Sequence, residues 1–534
     1  MVPQFGLIIY MQADDLLDTS CNKYLRLLKK AINSYKATTK PPISLAMQCT
    51  KKWNGEEGLR TKRYFLASSG DFEGLQDVPH FNWEPVEGNQ GPGILATLKD
   101  FLEGCKTRAM ANQYVLILWG HGGVFFTFSG REDPNFQQLK SNILGAQFER
   151  NVAHAFLRTL KQNAAAATPN QPMAIGEDDF VFQNLETPSL LTRSLELRHF
   201  AGADAGEVAG FFPDKPFRVF GRTQKGRQML SMLAGQLEDG ALPLQQTTDN
   251  ISITQLEVGE INEALGEKGF GGKIPLLVFN NCLMQSIENL YLLSSTVGYL
   301  VGSQDYLYRD EISLGNEVSH ILEKGLHDIP SLCRSIVNNF PAIVNRKYAG
   351  NAWAYSATNA GSAAKFAINH LKPLFIQMKG NLNKLGPYIA AARACCFDLT
   401  DDNINETPKD LAIGMIDLYW FLINLQQLLS NAPESNGVLF ASIRSKIQRC
   451  IDKLVFGPRD IVLHSMAGSS RVRPAIGVRG FGCSGVNIFF PANKAHWEQL
   501  KNNLVFRDFY REVDPKSPFY GVTKWTDFLN AYYA

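Results

Sequence analysis

Two stretches decide the fold, Tyr114-Val-Leu-Ile-Leu-Trp-Gly-His-Gly-Gly123 and Ile274-Pro-Leu-Leu-Val-Phe-Asn-Asn-Cys282. Each begins with a dense apolar run, which is typical of a strand buried on both faces of a parallel sheet. Each run ends abruptly in polar residues and glycine or cysteine. In an open α/β sheet, functional residues collect at the carboxyl ends of the strands. If the two strands are neighbours, His121 and Cys282 meet in space although they lie far apart in the sequence.

The segments around these stretches alternate between strand and helix patterns, which predicts an α/β fold with a mostly parallel central sheet. We divide the chain into a first core part (1–149, with His121), an irregular region (150–248), a second core part (249–313, with Cys282) and a mainly helical region (314–534). The predicted strands are Phe5–Met11, Ile43–Cys49, Thr61–Ser68, Tyr114–Trp119, Ile274–Phe279, Tyr299–Gly302 and a late strand, 485–490. The predicted helices include Pro92–Arg108, Leu283–Thr296, Gly315–Gly325, Ile329–Asn339, Ala363–Lys379, Leu411–Leu429, Trp497–Leu504 and Trp525–Tyr533.

The region 150–248 shows no clear helical or strand spacing of its apolar residues. It carries an alanine-rich stretch punctuated by proline (Ala164–Pro172), several acidic clusters and a basic segment. We expect an insertion, a lid or a processing loop here rather than core sheet.

Composition excludes several classes of function. The 534 residues are 45% hydrophobic and 19% charged, with a formal net charge of +2, which does not favour a nucleic acid or an anionic membrane as partner. No apolar run reaches the roughly 20 residues that span a bilayer, and the N-terminus lacks the pattern of a signal peptide. Nine cysteines without a CxxC pair favour neither a zinc site nor a disulfide framework. The oligomeric state is not indicated.

Cys282 is the candidate nucleophile. A helical pattern follows it, so we expect its sulfur near a helix N-terminus, where free N–H groups favour the thiolate. His121 could protonate a leaving amine and later activate water. The backbone N–H groups of Gly122 and Cys282 could donate to a developing oxyanion. Each residue alone has a structural alternative, because a cysteine that ends a buried strand often only packs there.

Motifs of other hydrolases are absent from the sequence. The remaining histidines show no HExxH spacing, and neither a Walker A motif nor a GxSxG motif occurs. We therefore expect no metal site, no P-loop nucleotide site and no typical serine nucleophile.

Both strand ends resemble the catalytic segments of the clostripain family of cysteine peptidases. Leu116-Ile-Leu-Trp-Gly-His-Gly-Gly-Val124 is similar to the histidine segment, and Leu277-Val-Phe-Asn-Asn-Cys-Leu-Met-Gln-Ser-Ile-Glu288 to the nucleophile segment. The resemblance implies a caspase-like three-layer α/β sandwich, and a Cys282–His121 dyad that hydrolyses protein or peptide substrates through a thioester. Further similar pieces, in the family's order, are Ile8–Asp15, Ile253–Leu256, Tyr299–Ser303 and Gly485–Pro491.

The position two residues before the nucleophile departs from the family pattern. Relatives that cleave after arginine or lysine carry Asp there, whereas this chain has Asn280, whose amide supplies no charge. Asn280 is still expected to form a wall of the substrate pocket. Asp305 and Asp310 lie where further pocket residues are expected, and Arg309 between them opposes an acidic pocket. The sequence therefore leaves a preference for basic side chains open.

The interval between His121 and Cys282 is longer than in typical relatives, which commonly mature by self-cleavage within it. Arg131, Lys140, Arg150 and the basic residues of Arg222–Arg227 are candidate cleavage sites. The alternative is that 150–248 recognises a protein substrate or blocks the cleft.

The sequence also leads to expectations about the cofactor, the location of the protein and two rival functions. No cofactor is required, although some relatives depend on calcium and Asp14 and Asp15 could contact Ca²⁺; helix capping is the alternative role. Without a signal peptide, the chain is expected in the cytoplasm or to be secreted by a dedicated machinery. Two rival functions are a non-catalytic binding protein and an acyl transferase that uses the same dyad.

Overall fold

A computed structural model gives the fold. Both strands quoted above lie within the part of the chain that the structure describes. That part comprises residues 3–13, 17–36, 42–53, 59–66, 84–86, 94–120, 122–123, 126–127, 180–184, 196–198, 207–211, 216–221, 256–305, 307, 316–344, 353–396, 414–455, 460–468, 472–475, 478–481, 483–494, 497 and 518–534.

The strands are numbered in chain order: β1 (Phe5–Gln12), β2 (Ser44–Lys52), β3 (Leu59–Leu66), β4 (Glu84–Pro85), β5 (Gln113–Trp119), β6 (Gly122–Gly123), β7 (Phe126–Thr127), β8 (Phe180–Asn184), β9 (Glu196–Arg198), β10 (Glu207–Phe211), β11 (Pro216–Gly221), β12 (Leu256–Glu257), β13 (Ile274–Asn280), β14 (Val297–Ser303), β15 (Ala354–Thr358), β16 (Met415–Asp417), β17 (Val462–Ala467), β18 (Val472–Ala475), β19 (Val478–Phe481) and β20 (Asn487–Phe489).

The helices are α1 (Asp18–Lys36), α2 (Ile94–Arg108), α3 (Val258–Glu267), α4 (Ile287–Leu293), α5 (Asn316–Lys324), α6 (Ile329–Val344), α7 (Ala363–Phe366), α8 (Lys372–Lys379), α9 (Leu382–Ala394), α10 (Leu418–Ser430), α11 (Val438–Leu454), α12 (Pro518–Thr523) and α13 (Trp525–Tyr533). A π-helical turn, Ala367–Leu371, joins α7 to α8.

Nine strands form the central sheet, in the order β17-β15-β14-β13-β5-β1-β2-β3-β4. The five middle strands, from β14 to β2, run parallel to one another. The flanking strands pair antiparallel on both sides. This arrangement confirms the predicted mostly parallel sheet, because strands that are buried on both faces read as continuous apolar runs.

Helices cover both faces of the sheet. On one face, alternate residues of the middle strands, such as Trp119 and Val278, belong to a buried cluster shared with α1, α5 and α6. On the other face, the ring of Tyr10 lies 6.0 Å from that of Phe101 in α2. Helix α2 is joined to α3 by the ion pair between Lys99 and Glu263. The central sheet and these helices therefore form a three-layer α/β sandwich, as predicted.

The chain divides into two compact units, Met1–Leu139 with Ile251–Ala534, and Lys140–Asn250. The described strands of the second unit form a four-stranded antiparallel sheet in the order β8-β11-β10-β9. The role assigned from the sequence to 150–248 stays a prediction.

The structure differs from the sequence-based elements in the C-terminal half. Strands β15 and β17 were not predicted, although both belong to the central sheet. The predicted helix Leu411–Leu429 begins only at Leu418, because Asp417 ends strand β16 and caps the helix by accepting a hydrogen bond from the N–H of Trp420. The late strand is present as β20 and pairs with β16 in a separate two-stranded sheet. Of the predicted helix Trp497–Leu504, only Trp497 lies within the described residues.

Candidate active site

The two strand ends that carry the candidate residues are adjacent. Strand β13 pairs parallel with β5, and Asn280 lies opposite Trp119 in the register. The N–H of Gly120 donates to the carbonyl oxygen of Asn280 over 3.3 Å, so the pairing continues just past the strands. The conditional expectation that these strands are neighbours is confirmed.

Gly122 lies directly against the backbone of Cys282. A Cβ atom built on Gly122 would come within 2.4 Å of the carbonyl oxygen of Cys282 and 2.8 Å of its amide nitrogen. Real Cβ atoms do not approach other atoms so closely, so only glycine fits here without a backbone shift. His121 itself lies outside the described residues, between Gly120 and Gly122.

The thiol of Cys282 is partly exposed and lies against one backbone segment. The N–H of Leu307 donates to the sulfur over 3.2 Å, and the sulfur also lies 3.5 Å from the carbonyl oxygen of Leu307. An N–H that points at sulfur stabilises the thiolate more than the thiol. The described residues thus supply one backbone donor to the candidate nucleophile.

The helix after Cys282 begins later than the sequence pattern indicates. Helix α4 starts at Ile287, and its N-cap is Ser286, whose hydroxyl oxygen accepts a hydrogen bond from the N–H of Asn289 over 3.1 Å. The expectation that the helix follows Cys282 directly is therefore wrong. Instead, Leu283 takes a left-handed conformation with φ of 60°.

After this left-handed turn, the backbone of residues 283–285 runs beside the carboxyl end of strand β14. The N–H of Leu283 donates to the carbonyl oxygen of Asp305 over 3.0 Å, and that of Gln285 to Ser303, also over 3.0 Å. An αL conformation in a non-glycine residue costs on the order of 1 kcal/mol, which the surrounding hydrogen bonds must offset. The connection between Cys282 and α4 is therefore a bonded loop rather than a helical turn.

Asn280 is fully buried beneath the strand end. Its side-chain amide donates to Oε1 of Glu317 over 2.9 Å. Glu317 lies in the first turn of α5, and burial raises the pKa of its carboxyl group to about 7. The side-chain amide of Asn280 therefore points at the buried carboxyl group of Glu317.

The two aspartates named as pocket candidates differ in what the structure describes. Asp305 is buried; its N–H donates to the hydroxyl oxygen of Ser303 over 3.1 Å, and its carbonyl oxygen accepts from the N–H of Leu283. Asp310 lies outside the described residues, as do Asp14 and Asp15. Among the residues that are described, no group of three His, Cys, Asp or Glu side chains could hold a metal ion.

Sequence reasoning did not identify Glu317 or Leu307. A signal for Glu317 exists, because it lies four residues before the buried Ile321 and so shares the apolar face of α5. Leu307 acts through its backbone N–H, which leaves no signature in the sequence. In the part of the chain that can be described, no helix is long and apolar enough to cross a membrane.

Comparisons with known proteins identify a family for this chain. The model of the clostripain family matches residues 245–532, a stretch that contains Cys282 but not His121. No curated protein matches the chain.

Two solved structures cover nearly the whole chain. An inactive zymogen of a C11 protease from Parabacteroides distasonis is similar with a TM-score of 0.51 and 11% identity, over 98% of this chain and 99% of that one. A secreted C11 cysteine protease from Bacteroides thetaiotaomicron has a TM-score of 0.48 and 12% identity, over 98% of this chain and 100% of that one. At this identity the first likeness shows a shared, caspase-like fold. The family match spans more than half of the sequence, so the chain belongs to the clostripain family of cysteine proteases.

Proposed function

We propose that the chain is a cysteine endopeptidase in which Cys282 is the nucleophile and His121 the general acid and base. The contact between Gly122 and the backbone of Cys282 carries this proposal. It brings the residue next to His121 against the nucleophile itself. Peptide hydrolysis is the activity that the family and this juxtaposition support together.

The reaction proceeds through two acyl transfers. The thiol of Cys282 gives its proton to His121, and the sulfur bonds to the carbonyl carbon of the scissile peptide. As the C–N bond breaks, His121 passes this proton to the leaving amine, which leaves a thioester. His121 then takes a proton from water, the hydroxide attacks the thioester, and the proton returns to sulfur as the C–S bond breaks.

Three backbone donors support the charged stages of this reaction. The N–H of Leu307, 3.2 Å from the sulfur, favours the thiolate before attack. The N–H groups of Gly122 and Cys282 are proposed to donate to the oxyanion of each tetrahedral intermediate. Removing one such donor typically lowers the rate by about 10²–10³.

Basic specificity is not assigned. Asn280 contributes no negative charge, and its amide is bonded to Glu317. A preference for arginine or lysine would need another carboxylate, and Asp305, Asp310 and the buried Glu317 are the candidates.

The first test is labelling with a library of peptide acyloxymethyl ketones, which alkylate a live thiol nucleophile. Wild type and Cys395→Ala are expected to be labelled, since Cys395 is a partly exposed cysteine outside the site. Cys282→Ala is expected to lose all labelling, and His121→Ala nearly all. The preferred side chain at the first position of the probes then measures the specificity.

The same test separates the rival functions. Because one structural neighbour is an inactive zymogen, labelling is compared before and after limited proteolysis between His121 and Cys282. No labelling in either state would overturn the proposal and favour a non-catalytic binding protein. Labelling with transfer of the acyl group to an added amine, rather than to water, would favour an acyl transferase.

A further inference from the structure

Gln304 lies between the end of strand β14 and the segment that contacts the thiol. It is fully buried, and four hydrogen bonds hold it. Its N–H donates to the carbonyl oxygen of Ala354 over 3.0 Å, and its carbonyl oxygen accepts from the side-chain amide of Asn487 over 2.8 Å. Its own side-chain amide donates to Oδ2 of Asp417 over 2.9 Å and to Oδ1 of Asn487 over 2.8 Å.

Asp417 is the buried carboxyl at the centre of this arrangement. Besides Gln304, it accepts hydrogen bonds from the hydroxyl and the N–H of Ser484 and from the N–H of Trp420. Asp417 and Asn487 come from the paired strands β16 and β20 of the C-terminal half. All the groups that fix the side chain of Gln304 therefore come from a part of the chain distant in sequence from Cys282.

Hydrogen bonds of the residues on both sides of Gln304 connect it to the backbone around the sulfur. On its C-terminal side, Asp305 accepts a hydrogen bond from Leu283, the residue after Cys282, and Leu307 donates to the sulfur. On its N-terminal side, Ser303 accepts from Gln285, whose carbonyl oxygen in turn accepts from the N–H of Asn487. Gln304 is thus the common anchor of the two backbone segments that flank the thiol.

We propose that Gln304, held by Asp417 and Asn487, is a positioning residue for Cys282. It fixes residues 303–305, and we infer that this placement keeps the N–H of Leu307 pointed at the sulfur. The role in catalysis rests on the peptidase function proposed above, whereas the role in thiol placement does not. Asp417 and Asn487, from the C-terminal half, thereby contribute to the placement of the nucleophile.

The test substitutes Gln304→Met, which keeps the length of the side chain and removes its two donated hydrogen bonds. Gln304→Asn is a milder variant, whose shortened amide cannot reach both partners, and it serves if the methionine variant does not fold. The matched control is Ser484→Ala, which removes a different donor from the same carboxyl group and leaves Gln304 bonded.

Two measurements are made on each variant, and its melting temperature is recorded beside them as a measure of stability. The first is the rate of iodoacetamide alkylation at Cys282 from pH 6 to 9, measured by peptide mapping with Cys395 as internal reference. The second is kcat and KM on a peptide substrate. For the Gln304 variants, alkylation of Cys282 at pH 7 is expected to fall several-fold and the profile to shift to higher pH. The value of kcat is expected to fall by about tenfold with little change in KM, since small misplacements of a reacting group are costly.

The outcomes separate this inference from the proposed function. A wild type that alkylates normally but hydrolyses no peptide would overturn the peptidase function, while the alkylation profiles would still test Gln304. If the Gln304 variants lose melting temperature as Ser484→Ala does, yet keep the wild-type profile and kcat, the residue is only structural and the inference is wrong.

Discussion

At the scale of single residues, Gly122 is where the two halves of the candidate site meet. The missing side chain lets its backbone lie against that of Cys282. The closest atoms are two main-chain atoms of Cys282 and the Cβ of Asn281, none of which can rotate away as the end of a flexible side chain could. Any side chain at this position must therefore push the two strand ends apart.

We expect Gly122→Ala to lower kcat/KM by at least about 10², because it shifts both the nucleophile and the proposed oxyanion donor. The control is Gly259→Ala in α3, where an added Cβ meets no atom within 4 Å. That control should keep full activity and change the free energy of unfolding by less than about 1 kcal/mol. Equal activity of the two variants would show that the contact at Gly122 does not matter for catalysis.

The residues of the site divide by how they act. Cys282, His121 and Gly122 could be named from the sequence because their chemistry and their strand-end positions are visible there. Leu307 contributes a backbone N–H, and Gln304 contributes hydrogen bonds to residues more than a hundred positions away. Such groups are fixed by the tertiary fold, so no local pattern points to them.

At the scale of elements, the central strands could be predicted because they are continuous apolar runs. Strand β15, Ala-Tyr-Ser-Ala-Thr, is short and half polar, and it forms because β14 and β17 lie on either side of it. The helix after Cys282 was predicted too early because Leu283 and Met284 continue its apolar pattern. The N-cap residue Ser286 was the signal for its true start.

The cap at Ser286 gives a prediction for this helix. Ser286→Ala removes the acceptor for the N–H of Asn289 in a buried setting, so the free energy of unfolding should fall by about 1 kcal/mol. Ser294→Ala, at the other end of α4, is the control; its hydroxyl donates to the carbonyl oxygen of Tyr291 and is partly exposed. Urea unfolding measures both, and a loss as large in Ser294→Ala would contradict a specific role of the N-cap.

At the scale of the whole molecule, two buried carboxyl groups join distant parts of the chain. Glu288, in α4, accepts hydrogen bonds from the N–H of Phe489 and the hydroxyl of Tyr520, while Glu317 accepts from Asn280. Burial raises the pKa of each of the two carboxyl groups to about 7. The C-terminal segments are thus attached to the nucleophile-bearing core through a group that titrates near neutral pH.

The sign of the pH dependence follows from these shifts. The unfolded chain releases the glutamate protons near pH 4.5, whereas the folded chain keeps them until about pH 7. The contribution of these two glutamates to the free energy of unfolding therefore decreases as pH rises through this window and levels off above it. Burial lowers the pKa of His320, His370 and His464, which acts in the opposite direction below their ordinary value of 6.5. The glutamate contribution must be isolated by substitution.

The substitution Glu317→Gln isolates the contribution of Glu317 to the pH dependence, because glutamine can still accept the hydrogen bond from Asn280 and does not titrate. Relative to wild type, the variant should gain free energy of unfolding between pH 5 and pH 8, on the order of 1–3 kcal/mol.

Glu288→Gln should behave in the same way, since its Oε1 can still accept from Phe489 and Tyr520. Glu434→Gln, at an exposed position in the turn before α11, is the control and should leave the slope with pH unchanged. Urea unfolding at four pH values across this range measures the slopes. A slope for Glu317→Gln equal to that of wild type would mean that the buried carboxyl group is already ionised in the folded protein.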